Sequence, residues 1–262
     1  MATKTVAALR RVTRGVGFGI DIGGSGIKGA PVDLGRGELR ADRLRIPTPQ
    51  PSTPDAVAAA VRGILTPFGR RSGTRPIGVT FPAVIQHGVA RTAANVDRSW
   101  IGRDIDALLT ERLGRPVAVI NDADAAGLAE SRYGAAKGVD GVVFMATLGT
   151  GIGSALIVDG EVVPNTEFGH IEVGGKDAET RAADSARERD DLTWEQWAKR
   201  LQRYFTAIEN LLWPDLIVVG GGVSRKAEKY LPLLTLRTPI VAATLLNDGG
   251  IIGAALHAAE HA

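Results

Sequence analysis

Apolar residues along the chain follow two rhythms: short unbroken runs that suit buried strands, and longer stripes at helical spacing. Val16–Ile22 reads as a strand closed by Gly23 and Gly24. Ala30–Leu34 and Leu39–Ile46 read as two more strands, joined by a Gly35–Gly37 turn. A Pro- and Thr-rich connector, Pro47–Pro54, leads into a helix capped by Thr53, opened by Pro54 and continued by Ala56–Leu65. Arg75–Ile85 and Pro116–Ile120 are strand-like, with a helix at Asp104–Leu113 between them. A second cycle follows: a helix at Asp124–Tyr133, then paired strands Gly141–Leu148 and Ser154–Val163 around LGTGIG. The strongest helical signal is Thr193–Leu212. Thr193 and Gln196 form a capping box, and Trp194, Trp197, Leu201, Tyr204, Phe205, Ile208, Leu211 and Leu212 form one apolar stripe, expected to be core. Asp215–Val219 is a buried strand ending in Gly220, Gly221 and Gly222, and a final helix of small residues runs from about Gly250 to Ala259. A shift of 126 residues carries Ile22–Gly23 onto Leu148–Gly149 and Val32–Asp33 onto Val158–Asp159, which predicts two related lobes, each opening with a glycine hairpin.

Composition narrows the class. At 262 residues the chain fits one large α/β domain or two ordinary ones, and 44% hydrophobic content with a net charge of +2 excludes a disordered chain. Glycine is in surplus, 33 of 262, without a GlyXY period. The lack of Cys excludes a disulfide framework, thiolate metal sites and a Cys nucleophile. With no apolar stretch of ~20 residues and no signal-peptide core, the expectation is a soluble, cytoplasmic protein without a membrane partner. The pI of 9.0 reflects only two more bases than acids and does not imply nucleic acid. Arg outnumbers Lys by 24 to 7, which suits phosphate contact but also arises from GC-rich coding. Lys4, Arg10, Arg11 and Arg14 read as a solvated basic tail.

Gly24, Gly26 and Gly29 satisfy the dinucleotide pattern GxGxxG, but that pattern must open a helix. Pro31 and the strand–turn–strand sequence after it exclude one, and no P-loop sequence occurs. The better reading is a tight β-turn whose backbone N–H groups face a phosphate, with Asp21 placed to orient a Mg²⁺-bound water. LGTGIGS at 148–154 supplies a second such turn, with hydroxyls from Thr150 and Ser154. Two facing hairpins suggest a cleft that clamps a phosphoryl donor. Asn121 and Asp122 stand at the C-terminal end of a strand, where open α/β sheets place their chemistry. An Asp there accepts a proton from a hydroxyl nucleophile and an Asn binds a neighbouring hydroxyl, although Asp122 or Asp124 also suits a helix N-cap. Glu167 and His170, with Glu172 beyond, suit vicinal hydroxyls of a sugar. They form only a partial metal site, so structural zinc is not expected.

Together FGIDIGGSGIKG, NDADAAGLAE, TLGTGIGSAL, EFGHIE, IVVGGGVS and NDGGIIGAAL resemble the ROK (repressor, open reading frame, kinase) sugar kinases. Within that family DIGGSGIKG, NVDRSWIG and HIEVGGKDAE are similar to bacterial polyphosphate glucokinases. The resemblance implies an α/β, two-lobed actin-like and hexokinase-like (ribonuclease H-like) fold with a cleft between lobes. The expected division is residues 1–120, then 121–247, with the C-terminal helix 248–262 packing back on the first lobe. It further implies that Asp21, Gly23, Gly24, Ser25, Gly26 and Lys28 form the first phosphate motif and Gly149, Thr150 and Gly151 the second. Asp122 would be the general base, Asn121, Glu167, His170 and Glu179 sugar contacts, and Gly220, Gly221 and Gly222 the turn beside a nucleoside. The expected reaction is phosphoryl transfer from polyphosphate or ATP, with Mg²⁺, to the 6-hydroxyl of glucose and also mannose, by a monomer or homodimer. Candidates for a polyanion track are Lys28, Lys199, Arg200, Arg203, Arg225, Lys226 and Lys229. An ATP-only hexokinase for another sugar and a non-catalytic sugar sensor are the alternatives. The family's Cys-rich zinc loop is missing from this sequence, and the stretch before the first strand is too short for a DNA-binding helix-turn-helix.

Overall fold

The computed structural model describes residues 14–93 and 96–261, so Lys4, Arg10 and Arg11 of the basic tail lie outside the described residues. Its first sheet is built from β1 (Val16–Ile22), β2 (Ile27–Asp33), β3 (Glu38–Leu39), β4 (Leu44–Ile46), β5 (Ile77–Phe81) and β8 (Val117–Asn121). Helices α1 (Pro54–Leu65) and α2 (Ile105–Leu113) and the small hairpin β6 (Ile85–Gln86)–β7 (Val89–Ala90) fall between its strands. Helix α3 (Asp122–Tyr133) leads to the second sheet: β9 (Val142–Leu148), β10 (Ile152–Val158), β11 (Glu161–Val163), β12 (Leu216–Gly220) and β13 (Ile240–Ala242). Between β11 and β12 run α4 (Glu179–Ala182), α5 (Asp184–Arg189) and α6 (Trp194–Leu212), and α7 (Gly249–His261) ends the described chain.

The two sheets share one plan. Strand order is β3-β2-β1-β5-β8 in the first and β11-β10-β9-β12-β13 in the second. In each, an antiparallel hairpin sits beside two parallel strands. β1 and β9 stand 126 residues apart end to end, while the second turn, Gly149–Gly151, is one residue shorter than Gly23–Gly26. The parallel strands β5 and β12 are buried at every position because both faces of each sheet are covered. On the first sheet, Val57, Val61 and Ile64 of α1 and Ile105 and Leu109 of α2 pack against Phe18, Ile20, Ile77 and Val79.

The other faces are closed by exchange. α3, which follows the first sheet, lies on β9, β10 and β11 of the second, while α7, which follows the second, lies on β1, β5 and β8 of the first. The two helices also cross each other. A Cβ on Gly253 of α7 would stand 1.8 Å from the carbonyl oxygen of Ala125 in α3, and one on Gly19 of β1 would stand 1.8 Å from that of Ile251. Much of the glycine surplus therefore marks places where backbone meets backbone.

Several expectations shift in detail. Leu39–Ile46 is not one strand: it breaks at residues 40–43 so that β3 and β4 pair β2 at separate places. Thr53 occupies the N-cap of α1 without a side-chain cap bond, and Pro54 opens the helix. The capping box at Thr193 and Gln196 forms in full. The α6 stripe buries Trp197, Leu201, Tyr204, Phe205 and Ile208, but Leu211 is 62% exposed because the last helical turn projects past the core. Within NVDRSWIG, Trp100 has an architectural role: it is fully buried, packs tilted against Phe81 at 4.7 Å and donates to the Ser52 carbonyl. Its first residue, Asn95, lies outside the described residues.

Candidate active site

The parallel strands β1, β5 and β8 end on the same edge of the first sheet, bringing Asp21, Thr80 and Asn121 side by side. Thr80 faces Asp21 in register; its hydroxyl donates to Asp21 Oδ1 at 2.8 Å and accepts from the Ile22 N–H at 3.2 Å. Lys28, opposite Asp21 across the hairpin, sets its Nζ 3.4 Å from Oδ2. The turn after β1 is closed by Gly23 N–H to Gly26 carbonyl at 3.1 Å and steadied by Thr48 Oγ1 on the Gly23 carbonyl at 2.5 Å. Among the described residues, the N–H groups of Gly24 and Ser25 donate to nothing, which leaves them for an anion. Arg45 of β4 lies over this turn, its Nη2 3.0 Å from the Ser25 carbonyl. Neither Thr80 nor Arg45 carries a motif signal.

The second turn repeats the arrangement. Gly149 N–H bonds the Gly151 carbonyl at 3.0 Å, and the N–H groups of Thr150 and Gly151 donate to nothing among the described residues. Glu179 at the start of α4 accepts the Ile152 N–H at 2.7 Å, so one of its oxygens holds this turn. Ser185 holds it too, through its N–H to the Gly149 carbonyl at 3.0 Å and its hydroxyl to the Thr150 carbonyl at 2.6 Å. Gly221, at φ +83°, passes so close to β9 that a Cβ would stand 2.2 Å from the Leu148 carbonyl oxygen, which sets the Gly220–Gly222 turn beside this loop. Ser154 corrects the sequence reading. Its buried hydroxyl donates to the Thr166 carbonyl at 2.6 Å and accepts from Phe168 N–H at 2.9 Å, so it braces the 166–168 segment instead of facing a phosphate.

Between the turns lie the acids. Asn121, not Asp122 or Asp124, caps α3: its Oδ1 accepts the N–H groups of Ala123 at 2.8 Å and Asp124 at 3.1 Å, and its Nδ2 donates to the Ala83 carbonyl at 3.0 Å. Both ends of that side chain are engaged, and the Ala123 N–H is shared with Asp122 Oδ1 at 2.9 Å. Although solvent reaches Asp122, the surrounding protein strips its hydration, and with the Asp21 carboxylate nearby its pKa rises to about 6. Glu167 is raised mainly by loss of hydration and by Glu179, partly offset by His170. His170 is raised chiefly by its hydrogen bond to Asp177, Nδ1 to Oδ2 at 2.8 Å, which fixes the ring and leaves the other nitrogen outward. Asp177 is a site residue that the sequence reading missed.

Asp124 sits behind Asp122, 2% exposed. Its Oδ2 accepts the Asn165 N–H at 2.7 Å, while its buried Oδ1 has no partner. Asn165 in turn clasps Ile85 of β6, accepting its N–H and donating to its carbonyl, each at 2.7 Å. This pair ties the Glu167 segment to the β6–β7 hairpin. Burial, then the Asp122 and Glu167 carboxylates, raise the pKa of Asp124 to about 7, against ~3.9 in an unfolded chain. A raised carboxyl stabilises the fold fully below the unfolded value and progressively less as pH climbs to the folded one. Thermal melts should therefore show stability declining from about pH 4 to about pH 7. Asp124→Asn, whose amide oxygen still accepts from Asn165, should flatten that decline, and an unchanged slope would remove Asp124 as its source.

Residues 17–183 match the ROK family. The chain is 57% identical over 241 residues to the polyphosphate glucokinase of Mycobacterium tuberculosis, covering 92% of this chain and 90% of that one. It superposes on the crystal structure of the inorganic polyphosphate/ATP-glucomannokinase from Arthrobacter sp. strain KM with a TM-score of 0.91 and 57% identity, over 95% of this chain and 100% of the other. A ROK family glucokinase from Streptomyces griseus, solved with glucose and AMPPNP, gives a TM-score of 0.78 over 92% of this chain and 98% of that one; at 24% identity it shows the shared fold.

Proposed function

The chain belongs to the ROK family, and on that premise we propose that it transfers a phosphoryl group from inorganic polyphosphate or ATP to the 6-hydroxyl of glucose, with mannose as a second acceptor. Its two-lobed actin-like fold and its likeness to polyphosphate glucokinases and a polyphosphate/ATP-glucomannokinase support the reaction class. The observation that carries the reading is the setting of Asp122. Asn121 carries the cap of α3, and Asp122, which shares only the Ala123 N–H with it, has a pKa of about 6 and stands between two glycine turns whose N–H groups are open.

In this reading the turns at Gly23–Gly26 and Gly149–Gly151 hold the donor phosphates, with Lys28 and Arg45 adding positive charge. Glu167 and the ring of His170, fixed by Asp177, hold sugar hydroxyls, and Asn121 contributes through its remaining amide hydrogen. Asp122 aligns the 6-hydroxyl and takes its proton as the O6–P bond forms and the P–O bond to the shortened polyphosphate or ADP breaks. Transfer of this kind is loose, so positioning and charge stabilisation dominate.

Among the described residues no three acidic or imidazole side chains gather as a metal cage. The oxygens present suit Mg²⁺ carried by donor phosphates and contacted by Asp21 through water. Bound there, the ion would neutralise charge on the donor. We place the lobe boundary after residue 120, with α7 completing the first lobe, and expect a cytoplasmic monomer or homodimer.

The test is a coupled hexose 6-phosphate assay crossing glucose, mannose, fructose and N-acetylmannosamine with ATP and polyphosphate. Product from glucose with both donors is expected. Product from no pair would favour a sugar sensor and end this reading.

A further inference from the structure

Behind the second glycine turn, on the far side of α4, lies a cavity of ≈ 290 Å³ that the reaction described above does not use. Four of its lining residues are cations: Lys176 on the segment after His170, Arg181 on α4, and Arg200 and Arg203 on α6. None of its lining residues carries a carboxylate. Arg200 is committed elsewhere, its Nη1 2.6 Å from Asp190 and 3.2 Å from the Arg181 carbonyl. The side chains of Lys176, Arg181 and Arg203 make no ion pair or hydrogen bond among the described residues.

A second, independent observation points to a ligand. Tyr204 also lines the cavity; it is 1% exposed, and its buried hydroxyl has no hydrogen-bond partner. The other large buried polar aromatics are satisfied: Trp100 on Ser52, Trp197 on Ala182 and Tyr230 on Val223. A buried donor left unpaired is costly, and the most economical ligand supplies an acceptor. The polar side chains around this cavity are donors, three of them Arg forks that match oxyanion geometry, set around Val173, Ala178 and Ala182. The volume is at the lower limit for drug-sized ligands (~300 Å³), which suits a compact anion.

We infer that this cavity is a phosphate-binding subsite that holds the distal part of a polyphosphate donor. The inference rests on the proposed donor and extends it. α4 links the two places: Glu179 on one side holds the Gly149–Gly151 turn, while Ala178, Arg181 and Ala182 on the other line the cavity. Beyond it, Arg203 is shared with an open hollow of ≈ 470 Å³ along α6, where Lys199 and Gln202 stand beside Glu195. A long chain leaving the catalytic turns passes from one cationic station to the next. ATP and short chains end before reaching it.

The double variant Arg181→Ala/Arg203→Ala removes two exposed side chains that hold nothing in the fold, and Tyr204→Phe keeps the ring and removes the hydroxyl. In the coupled assay, the double variant should raise KM for long-chain polyphosphate about tenfold, as expected for loss of one charged hydrogen bond or more. Its kcat, and its KM for tripolyphosphate, ATP and glucose, should match the parent. Tyr204→Phe should shift the same KM in the same direction. Calorimetric titration of long-chain polyphosphate, without sugar, should show the same weakening. An unchanged long-chain KM, or an equal rise for ATP, overturns the inference. So does orthophosphate binding as tightly as the chain at equal phosphate concentration, which would assign the cavity to free phosphate. A parent enzyme that uses ATP alone defeats the donor reading, whereas a calorimetric loss in the double variant still supports the cavity as a phosphate site.

Discussion

Asp122→Asn is expected to give a folded protein that still binds glucose and turns over ~10²–10⁴-fold more slowly, the usual cost of losing a positioned general base. The fold should survive because Asn121 caps α3 through Ala123 and Asp124, and an amide oxygen in place of the Asp122 carboxylate still accepts the Ala123 N–H that Oδ1 shares at 2.9 Å. An Asn side chain still aligns the 6-hydroxyl but takes no proton from it, so the loss should fall on kcat and spare glucose affinity. The parent enzyme should also lose activity as pH drops through about 6, where Asp122 becomes protonated, and this acid limb should vanish in the variant's residual rate. Glucose titration by calorimetry and a pH–rate profile together separate this outcome from unfolding. Near-normal turnover would remove Asp122 from its assigned role.

The second large effect is on stability. Gly253→Ala replaces a residue that disfavours a helix by ~1 kcal/mol, so propensity alone predicts a gain. The contact predicts the opposite. The new Cβ would stand 1.8 Å from the Ala125 carbonyl oxygen, and the obstruction is helix backbone, which no rotamer change relieves. Overpacking in a well-filled interior costs ~1–3 kcal/mol and more where backbone must move, so the net change should be a loss of about 2 kcal/mol or greater. At ~2–4 °C per kcal/mol for a chain of this size, Tm should fall by roughly 4–8 °C. A melt showing an unchanged or raised Tm would mean that α3 and α7 separate more easily than their contact implies.

The fold was legible where a local pattern decides it. Unbroken apolar runs marked β1, β5, β9 and β12, and the capping box at Thr193 and Gln196 marked the start of α6. Both glycine turns could be read because each follows a strand end. What escaped depends on partners remote in sequence. Thr80 matters because β5 lies beside β1, 59 residues from Asp21, and Asn165 because it meets Ile85 from 80 residues away. Asp177 is close in sequence to His170, yet nothing in the intervening segment shows that it turns back. Ser154 was misread for the same reason: a hydroxyl near a glycine turn suggests phosphate, but its neighbours 166 and 168 claim it. That Asn121 is the residue capping α3 could be found only by geometry, since adjacent polar residues at a helix start suit the cap equally well.

The exchange of α3 and α7 also bears on the order in which the molecule can be made. The first sheet is synthesised early, but Gly19 and Gly78 on one of its faces meet Ile251 and Ala254, near the far end of the chain. While the ribosome works through the second sheet, α7 is missing from that face, and the hairpin that carries Asp21 lacks its backing helix. Completion of the edge that carries Asp21, Thr80 and Asn121 is thus coupled to arrival of the final helix. A nascent chain stalled before α7 would hold nearly every residue named for catalysis and still lack the wall that fixes them.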